Sequence, residues 1–570
     1  MVVKNLASAL CGVILAVKVV FLSSCLSLDP ERHFYYTASE TEPNLPKEHP
    51  EPSLTGSIDA KDPPQADRLS AREGLVPPAG SGAASGSIAG EQEGPLKVDI
   101  QAAILLAMEN NRSLVVERVN PEISRTFEKE ELGVFDPVLS GEVSPRRSVA
   151  DRLGRAGRGI ESQILDAVTG SISLSKFFAT GTTVVLQGST SYTDSSLYSD
   201  TFAANRLGVS VTQALLQGMD IRANLARVNQ ARLDTLISEY ELRGFSGILL
   251  EEVESKFWDY ALAQKQIEIY TNSLSLAEKQ MAEAQERIKI GRLAETELAA
   301  AQAEVALRRE NLINARSDLA KERLDLLRLL NPSRDINWNR DVIVEYSTLA
   351  GLPSVELDDV EQHVQVALKM RPDLNQARLQ IRRGDLEVVR TKNGLLPRMD
   401  AFIAFGKTGY ANTFNRASRD LDRESYDVTC GLIFEYPPAN HAARARYNRA
   451  VISKQQLLRV LDNLIQLVQV DVRSAYIEVT RAREQITATA ATHNFQEEKL
   501  RAETEKFRVG KSTSLLVAQA QRDLVASQIA EIQAFANYLK ALVALYRLEG
   551  SLLARRGIWA PGAEQISLDS

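Results

Sequence analysis

Apolar residues recur at spacings of three and four along two very long stretches of this chain. Residues 222–290 contain no proline, and residues 439–509 contain neither glycine nor proline. This spacing predicts two amphipathic helices whose apolar positions form the seam of a coiled coil. At a rise of about 1.5 Å per residue, each helix would be roughly 100 Å long.

A lone glycine follows each long stretch, and a second helical segment follows each glycine. Gly291 precedes a segment that runs to Leu330, and Gly510 precedes one that runs to Leu548. Glycine often ends a helix because it adopts left-handed backbone angles without a steric penalty. Each half of the chain is therefore expected to form a helical hairpin. The alternative, glycine inside one continuous helix, would need a dimeric seam sustained over more than about 100 residues.

The period of the apolar positions changes to two ahead of each long helix. Every second residue is apolar in segments 207–211 and 426–434, and segments 182–192 and 399–405 are their expected partner strands. Strands of this length with one apolar face are typical of membrane β-barrels, although a soluble antiparallel strand looks the same on its own. The four strands recognised in this way are too few to close a barrel within one chain.

The two halves of the chain repeat each other at a constant offset of 219 residues, which places Gly291 on Gly510 without any gap. One segment departs from the repeat. It spans 70 residues from Pro137 to Leu207, against 29 from Pro397 to Tyr426. The surplus is either a longer surface loop or an added hairpin, so the number of strands within residues 138–206 stays open.

The N-terminus has the pattern of a secretory signal. One lysine precedes an apolar run that ends at Leu22, and Ser23 and Ser24 then precede Cys25. This ending resembles a bacterial lipoprotein signal, in which the cysteine is lipidated and becomes the mature N-terminus; an ordinary signal with an incidental cysteine is the alternative. Ten of the 20 prolines fall in residues 26–97, which predicts a disordered tether.

Composition argues against several classes of function. The net charge is −7, which disfavours a nucleic-acid partner, and three cysteines cannot form a disulfide framework. The five histidines never stand at the spacing of a zinc site, and neither a catalytic nucleophile motif nor a phosphate-binding loop is present. We therefore expect no enzymatic activity, no metal and no cofactor.

The boundaries follow from these patterns. We expect an α+β membrane protein built from two tandem repeats, each with a leading helical segment, barrel strands and a helical hairpin. The N-terminal segments are expected to be a signal peptide at 1–24 and a lipidated N-terminus with its tether at 25–97. The first repeat is expected at 98–330, with strands in 136–216 and its hairpin at 222–330. An equatorial linker at 331–354 precedes the second repeat at 355–549, which has strands in 397–436 and its hairpin at 439–549, and an equatorial tail follows at 550–570.

Several motifs resemble those of the TolC-type outer-membrane efflux protein family. They are GVFDPVL at 133–139, VTQALLQG at 211–218, FEYPPA at 434–439, IGRL at 290–293 and RVGKS at 508–512. The resemblance covers roughly residues 96–550, and the lipoprotein start matches one branch of the family. It implies a homotrimer whose strands form one β-barrel in the outer membrane of a Gram-negative bacterium, continued through the periplasm by a hollow α-helical coiled-coil barrel.

The same resemblance implies a function and partners. Such proteins are similar in being passive exit ducts of tripartite efflux or type I secretion systems, energised by an inner-membrane transporter through a periplasmic adaptor (membrane fusion) protein. Drugs, metals, small molecules and proteins are all open as substrates. The alternative from another class is a periplasmic coiled-coil adaptor or scaffold lipoprotein without a barrel, which the alternating strands disfavour.

The resemblance also assigns roles to residues near the two glycine turns. The hairpin tips would dock the adaptor, although the glycines could serve the turns alone; the tip residues are Ile290, Gly291, Arg292, Leu293, Val509, Gly510, Lys511 and Ser512. Glu297 would form a ring of charge at the pore constriction, with a solvated helix face as the alternative. Its counterparts Leu516 and Gln519 carry no charge, so only one acidic ring is expected.

Overall fold

A computed structural model describes residues 94–153, 160–196, 200–291, 294–331, 338–344 and 357–561. The predicted signal peptide, Cys25, most of the tether and most of the linker lie outside these ranges, as do Arg292 and Leu293. All described residues belong to one compact unit, Ala89–Ser570.

The leading segment of the first repeat contains one short strand and three helices: β1 (Leu96–Val98), α1 (Ile100–Asn110), α2 (Arg112–Glu117) and α3 (Asn120–Leu132). Sequence periodicity alone suggests a single amphipathic stretch here. The break has a local cause, because the extended backbone of Asn111 ends α1. Its side chain then caps α2 by accepting hydrogen bonds from the two backbone N–H groups at positions 113 and 114, at 3.0 and 3.2 Å.

Four long strands follow: β2 (Val138–Leu153), β3 (Ile160–Phe178), β4 (Thr182–Ser195) and β5 (Phe202–Ala214). The chain then forms the short helix α4 (Ile221–Asn224), the long helix α5 (Ala226–Lys289), the return helix α6 (Thr296–Leu330) and strand β6 (Val342–Val344). The first repeat therefore contains the helical hairpin that the periodicity predicts.

The second repeat has the same order with fewer strands. Its elements are α7 (Val360–Met370), α8 (Pro372–Asn393), β7 (Arg398–Ala411), α9 (Phe414–Arg419), β8 (Tyr426–Glu435), the long helix α10 (His441–Arg508), the return helix α11 (Ser514–Leu548) and α12 (Leu552–Arg555). Helices α5 and α10 have 64 and 68 residues, and both return helices have 35. At about 1.5 Å per residue, the long helices measure about 96 and 102 Å.

The long strands form one sheet of six in the order β2-β3-β4-β5-β7-β8, and every neighbouring pair is antiparallel. Strands β1 and β6 form a separate parallel pair. The predicted α+β class is confirmed. Of the two alternatives for the surplus segment of the first repeat, a longer loop or an added hairpin, the structure shows the hairpin, β2–β3, so the described part of the chain has six long strands. None of the described helices is long and apolar enough to cross a lipid bilayer.

Two apolar cores hold the helices together. In the first repeat, Phe257 and Tyr260 of α5 pack with the end of α6 and with β1 and β6. In the second, Val468 and Val472 of α10 pack with α7, α8 and α11. The seam positions predicted from the sequence are thus buried where return and leading helices meet the long helices. Burying an aromatic side chain of this kind typically stabilises the fold by about 3–5 kcal/mol relative to alanine.

The C-terminal tail is fastened to two buried charged residues of α5. The Arg556 guanidinium donates to both carboxylate oxygens of Glu254, at 2.7 and 2.5 Å, and Glu254 is only 1% exposed. Burial raises the pKa of Glu254 above the ordinary glutamate value, although Arg556 acts in the opposite direction. Nearby, the buried Arg243 donates to the carbonyl oxygen of Ala560 at 3.1 Å.

Candidate functional site

An apolar band crosses one face of the six-stranded sheet. Residues that stand directly opposite each other form a row that crosses all six strands and contains only apolar side chains: Leu139, Leu174, Leu186, Val209, Phe405 and Val428. Each of these side chains is 38–68% exposed in the single chain. Soluble monomers rarely leave such a large apolar surface open, so this face is suited to lipid or to a partner.

The opposite face of the sheet is polar. Serine, threonine and arginine side chains line a recess there, and its residues include Glu142, Thr169, Ser189, Arg206 and Thr408. Arg206 of β5 pairs with Asp427 of β8 across the intervening strand, with both guanidinium–carboxylate distances at 2.5–2.7 Å. One apolar and one polar face are the pattern of strands in membrane β-barrels.

A buried asparagine marks one end of the apolar band. Asn205 belongs to the apolar face of β5 but is 5% exposed, because α9 folds over it. Its amide donates to the carbonyl oxygen of Phe414 at 3.0 Å and to the Ser418 hydroxyl at 2.7 Å, and its oxygen accepts from Thr190 at 2.7 Å. Gly409 beside it admits this close packing, since a Cβ there would lie 2.0 Å from the Ala417 carbonyl oxygen.

The two hairpin tips are open turns that depend on glycine. Gly291 has φ +71° and Gly510 has φ +78°, and a Cβ on either would meet no atom within 4 Å. Both glycines therefore serve backbone conformation rather than close packing. The flanking Ile290 and Val509 are 63% and 61% exposed, and Lys511 is also exposed. Apolar side chains on an open turn provide a surface that a partner can cover.

The structure brings the two tips together. The Arg287 guanidinium of α5 lies over the Phe507 ring of α10, 5.5 Å from its centroid. Ser514, at the start of α11, donates a hydrogen bond to Glu297, at the start of α6. The predicted tip residue Ser512 instead points back and donates to Glu503 at 2.8 Å. Of the predicted tip residues, Arg292 and Leu293 lie outside the described residues.

Glu297 is half-buried, and its carboxylate is bound by Ser514, so it is not a freely solvated side chain in this chain.

Further along the same two helices lies a charged cluster that sequence reasoning missed. Arg308 is 3% exposed and pairs with Glu304 at 2.6 Å, and Arg522 of α11 reaches Glu304 at 3.5 Å. The spacing of four residues between Glu304 and Arg308 was the available sequence signal.

A family model described as outer membrane efflux protein matches residues 181–332 and 363–551, together more than half of the chain. The chain belongs to the outer membrane efflux protein family. This confirms the resemblance to the TolC-type family drawn from the motifs. Membership of this efflux protein family supports an outer-membrane efflux channel rather than an enzyme or a scaffold.

Solved structures share the fold of this efflux protein. CusC, which forms a transmembrane channel, is 18% identical, and the alignment covers 81% of this chain and 95% of CusC with a TM-score of 0.60. The Campylobacter jejuni outer membrane channel CmeC is 13% identical, with 84% and 94% covered and a TM-score of 0.59. The Vibrio cholerae outer membrane protein VceC is 14% identical, with 79% and 96% covered and a TM-score of 0.58. No curated protein sequence matches the chain.

Proposed function

We propose that this protein is the outer-membrane exit channel of a tripartite efflux or type I secretion system. Three copies pool their sheets into one transmembrane β-barrel, and their helical hairpins line a periplasmic conduit. The channel itself is passive. An inner-membrane transporter supplies the energy, and a periplasmic adaptor connects that transporter to the hairpin tips.

The observation that carries the proposal is the exposed apolar face of a sheet that leads directly into two helical hairpins of about 100 Å. A single open sheet cannot lie in lipid, because its edge N–H and C=O groups would have no hydrogen-bond partners. Sharing strands among copies removes those edges and turns the apolar face toward lipid. The polar face, with Arg206 and Asp427, then faces the water-filled lumen.

The tips are the proposed docking site for the adaptor. Ile290, Val509 and Lys511 are exposed there, and the two turns are held side by side by the Arg287–Phe507 contact. Residues 290–293 and 509–512 would form this surface together. A short distance up the conduit, three copies of Glu297 would form a ring of negative charge that favours cations.

The N-terminus is proposed to anchor each chain through lipid on Cys25. Multiple acyl chains on one cysteine hold a protein at a membrane far more firmly than a single chain does. The residue after Cys25 is Leu26 rather than the aspartate usual in lipoproteins retained at the inner membrane, so the anchor would lie in the outer membrane.

The central test is assembly and conduction by the purified full-length protein. Multi-angle light scattering in mild detergent should give the mass of a trimer, and the same sample should form ion-conducting pores in a planar lipid bilayer. A stable, folded monomer without conductance would contradict the channel and favour a coiled-coil scaffold.

The adaptor site can be tested with two glycine variants that impose similar backbone strain and add the same charge. Gly510→Asp lies at a tip, whereas Gly557→Asp lies in the C-terminal tail; both positions have positive φ and open space around a Cβ. Affinity capture of the adaptor should fall for Gly510→Asp and stay unchanged for Gly557→Asp, with trimers intact in both. Equal capture by both variants would contradict docking at the tip.

A further inference from the structure

We propose that strand β2 of each chain pairs with strand β8 of a second copy, so that three chains of six strands close a single sheet of 18. This inference deepens the proposed function and rests on its trimer. It assigns an interaction surface to the added hairpin β2–β3. Within the described residues, β2 and β8 are the two outer strands of the sheet, and each pairs on one side only.

The directions of the two outer strands allow this pairing. Every neighbouring pair in the sheet is antiparallel, and the number of strands is even, so β2 and β8 run in opposite directions. A copy rotated about the barrel axis therefore presents its β2 antiparallel to the β8 of its neighbour. An added hairpin preserves this relation, whereas one added strand would force a parallel junction.

The apolar and polar faces of the hairpin β2–β3 are continuous with the apolar and polar faces of the other four strands. The outward residues of β2 are odd-numbered, as Leu139 and Val143 show, and those of β8 are even-numbered, as Val428 and Phe434 show. Pairing must therefore place odd residues of β2 opposite even residues of β8, because a slip of one residue would turn the apolar face inward.

The apolar band shows how far the two outer strands are offset. Leu139 and Val428 stand in the same row across the sheet. On β8 the apolar outward residues run from Tyr426, two residues above that row, to Phe434, six residues below it. On β2 they lie between Leu139 itself and Val149, ten residues above it, and are interrupted by Arg147, which pairs with Asp166 of β3. The band therefore climbs by six to eight residues from β8 to β2.

This climb is the one that a closed barrel requires. Strands in membrane barrels tilt by about 40° and lie about 4.8 Å apart, so a level band climbs about 20 Å, or about six residues, across the five spacings from β8 to β2 of one chain. Across the six spacings from β2 of one copy to β2 of the next, it climbs about 24 Å, or about seven residues. At the junction between copies, the parity of the faces excludes an offset of seven residues and leaves six or eight. The hairpin β2–β3 thus continues the slope of the other strands and behaves as part of the barrel wall.

An offset of six residues gives every residue of β8 a partner in β2, starting with Glu435 opposite Val138. It places Phe434 opposite Leu139, Cys430 opposite Val143, and Asp427 opposite Arg146. The last pair joins opposite charges on the lumen side, where Asp427 already binds Arg206. Apolar contacts on one face and charge complementarity on the other both favour a second copy of this chain as the occupant of the β2 edge.

The expected consequence is a wide channel. At the same spacing and tilt, 18 strands enclose a barrel about 36 Å across, whereas 12 strands enclose one about 24 Å across. Barrels of 16–18 strands leave an aqueous channel. The width of the duct would then be set by the added hairpin of the first repeat.

Cysteine cross-linking tests the junction, because Cys430 already lies on β8 and is exposed. The full-length Val143→Cys variant is oxidised in outer-membrane vesicles with copper phenanthroline and analysed by non-reducing gel electrophoresis. Directly opposite residues of an antiparallel pair lie within disulfide range, so we expect about tenfold more linked oligomer than from Ser144→Cys, which faces the lumen. Adding Cys430→Ser to the Val143→Cys variant should abolish the product.

Three outcomes would overturn the proposal while light scattering still shows a trimer. These are linkage of Cys430 to Gly188→Cys or Thr190→Cys on β4, equal linkage by Ser144→Cys, and no linkage from cysteines at positions 141, 143 and 145. The first would mean that β4 is the edge and that the added hairpin lies outside the wall. Absence of any trimer would instead contradict the proposed function on which this inference rests.

Discussion

The ion pair between the buried Glu254 and the partly exposed Arg556 gives a sharp prediction for the stability of the fold. Arg556→Ala leaves the Glu254 carboxylate 1% exposed and without its bidentate partner. Removing one partner of a fully buried ion pair typically costs about 3–5 kcal/mol. Because the Arg556 side chain is 38% exposed, water reaches the vacated place and the expected loss is smaller, about 2 kcal/mol. Unfolding about 470 residues has an entropy near 1 kcal/mol per kelvin, so the melting temperature should fall by about 2 °C.

The pH dependence identifies the cause. Burial raises the pKa of Glu254 above its ordinary value even with Arg556 in place. The folded state therefore binds this proton more readily than the unfolded state, and the stability contributed by the group falls as pH rises from the ordinary value through the folded one. Without Arg556 the pKa rises further, so Arg556→Ala should lose more stability at about pH 8 than at about pH 5.

Thermal melting followed by far-UV circular dichroism measures both effects, and Arg328→Ala is the matched control. Arg328 pairs at 3.0 Å with Glu252, two residues from Glu254 on the same helix, but these side chains are 56% and 45% exposed. Exposed pairs contribute about 0–1 kcal/mol, so the control should melt within about 1 °C of the unaltered protein. The prediction would be refuted if both variants lowered the melting temperature equally, or if the loss in Arg556→Ala were the same at both pH values.

Three further outcomes are expected. Gly550→Ala should lower the melting temperature more than Gly510→Ala, because both positions have positive φ but only at Gly550 would the Cβ lie 2.9 Å from the Met370 carbonyl oxygen; equal losses would contradict the packing there. Glu297→Gln should reduce the cation preference of the pore, measured as the reversal potential in a planar bilayer. An unchanged reversal potential would mean that Glu297 does not set ion selectivity and has only a structural role, through its hydrogen bond with Ser514. Cys25→Ser should abolish lipidation, and mass spectrometry of an unmodified mature wild-type N-terminus would contradict the anchor.

The helical half of the fold is predictable from the sequence because its signals are local and long. Two glycine-terminated apolar repeats of about 70 residues leave few alternatives to hairpins, and the offset of 219 residues makes each copy support the other. The breaks in the leading segments were not predicted. They depend on single residues such as Asn111, whose side-chain cap interrupts an otherwise continuous apolar pattern.

The added hairpin illustrates what the sequence leaves open. Its length was visible as a surplus between Pro137 and Leu207, but its strands were not recognised. In β2 the outward positions include Gly141, Pro145 and Arg147, which break the alternation of apolar residues. Arg147 is accommodated because it faces Asp166 of β3, at 3.6 Å. The outward face of this hairpin can be recognised only once the pairing of β2 with β3 is known.

The positions of the two tips could be predicted from the sequence, but the contacts between them could not. Each glycine turn is a local signal, so both tips could be located from the sequence. The contacts between them could not, because Ser514 and Glu297 lie 217 residues apart and Arg287 and Phe507 come from different repeats. Side-chain partners at such separations follow from packing, which no local pattern encodes.

The fastening of the tail to α5 affects the order in which the protein can fold. Arg556 and Ala560 meet partners 302 and 317 residues earlier in the chain. Glu254 therefore stays without its guanidinium until Arg556 has been synthesised, and contacts at such separation form slowly because a large loop must close first. A chain truncated before Arg556 would keep both hairpin sequences yet lack this closure.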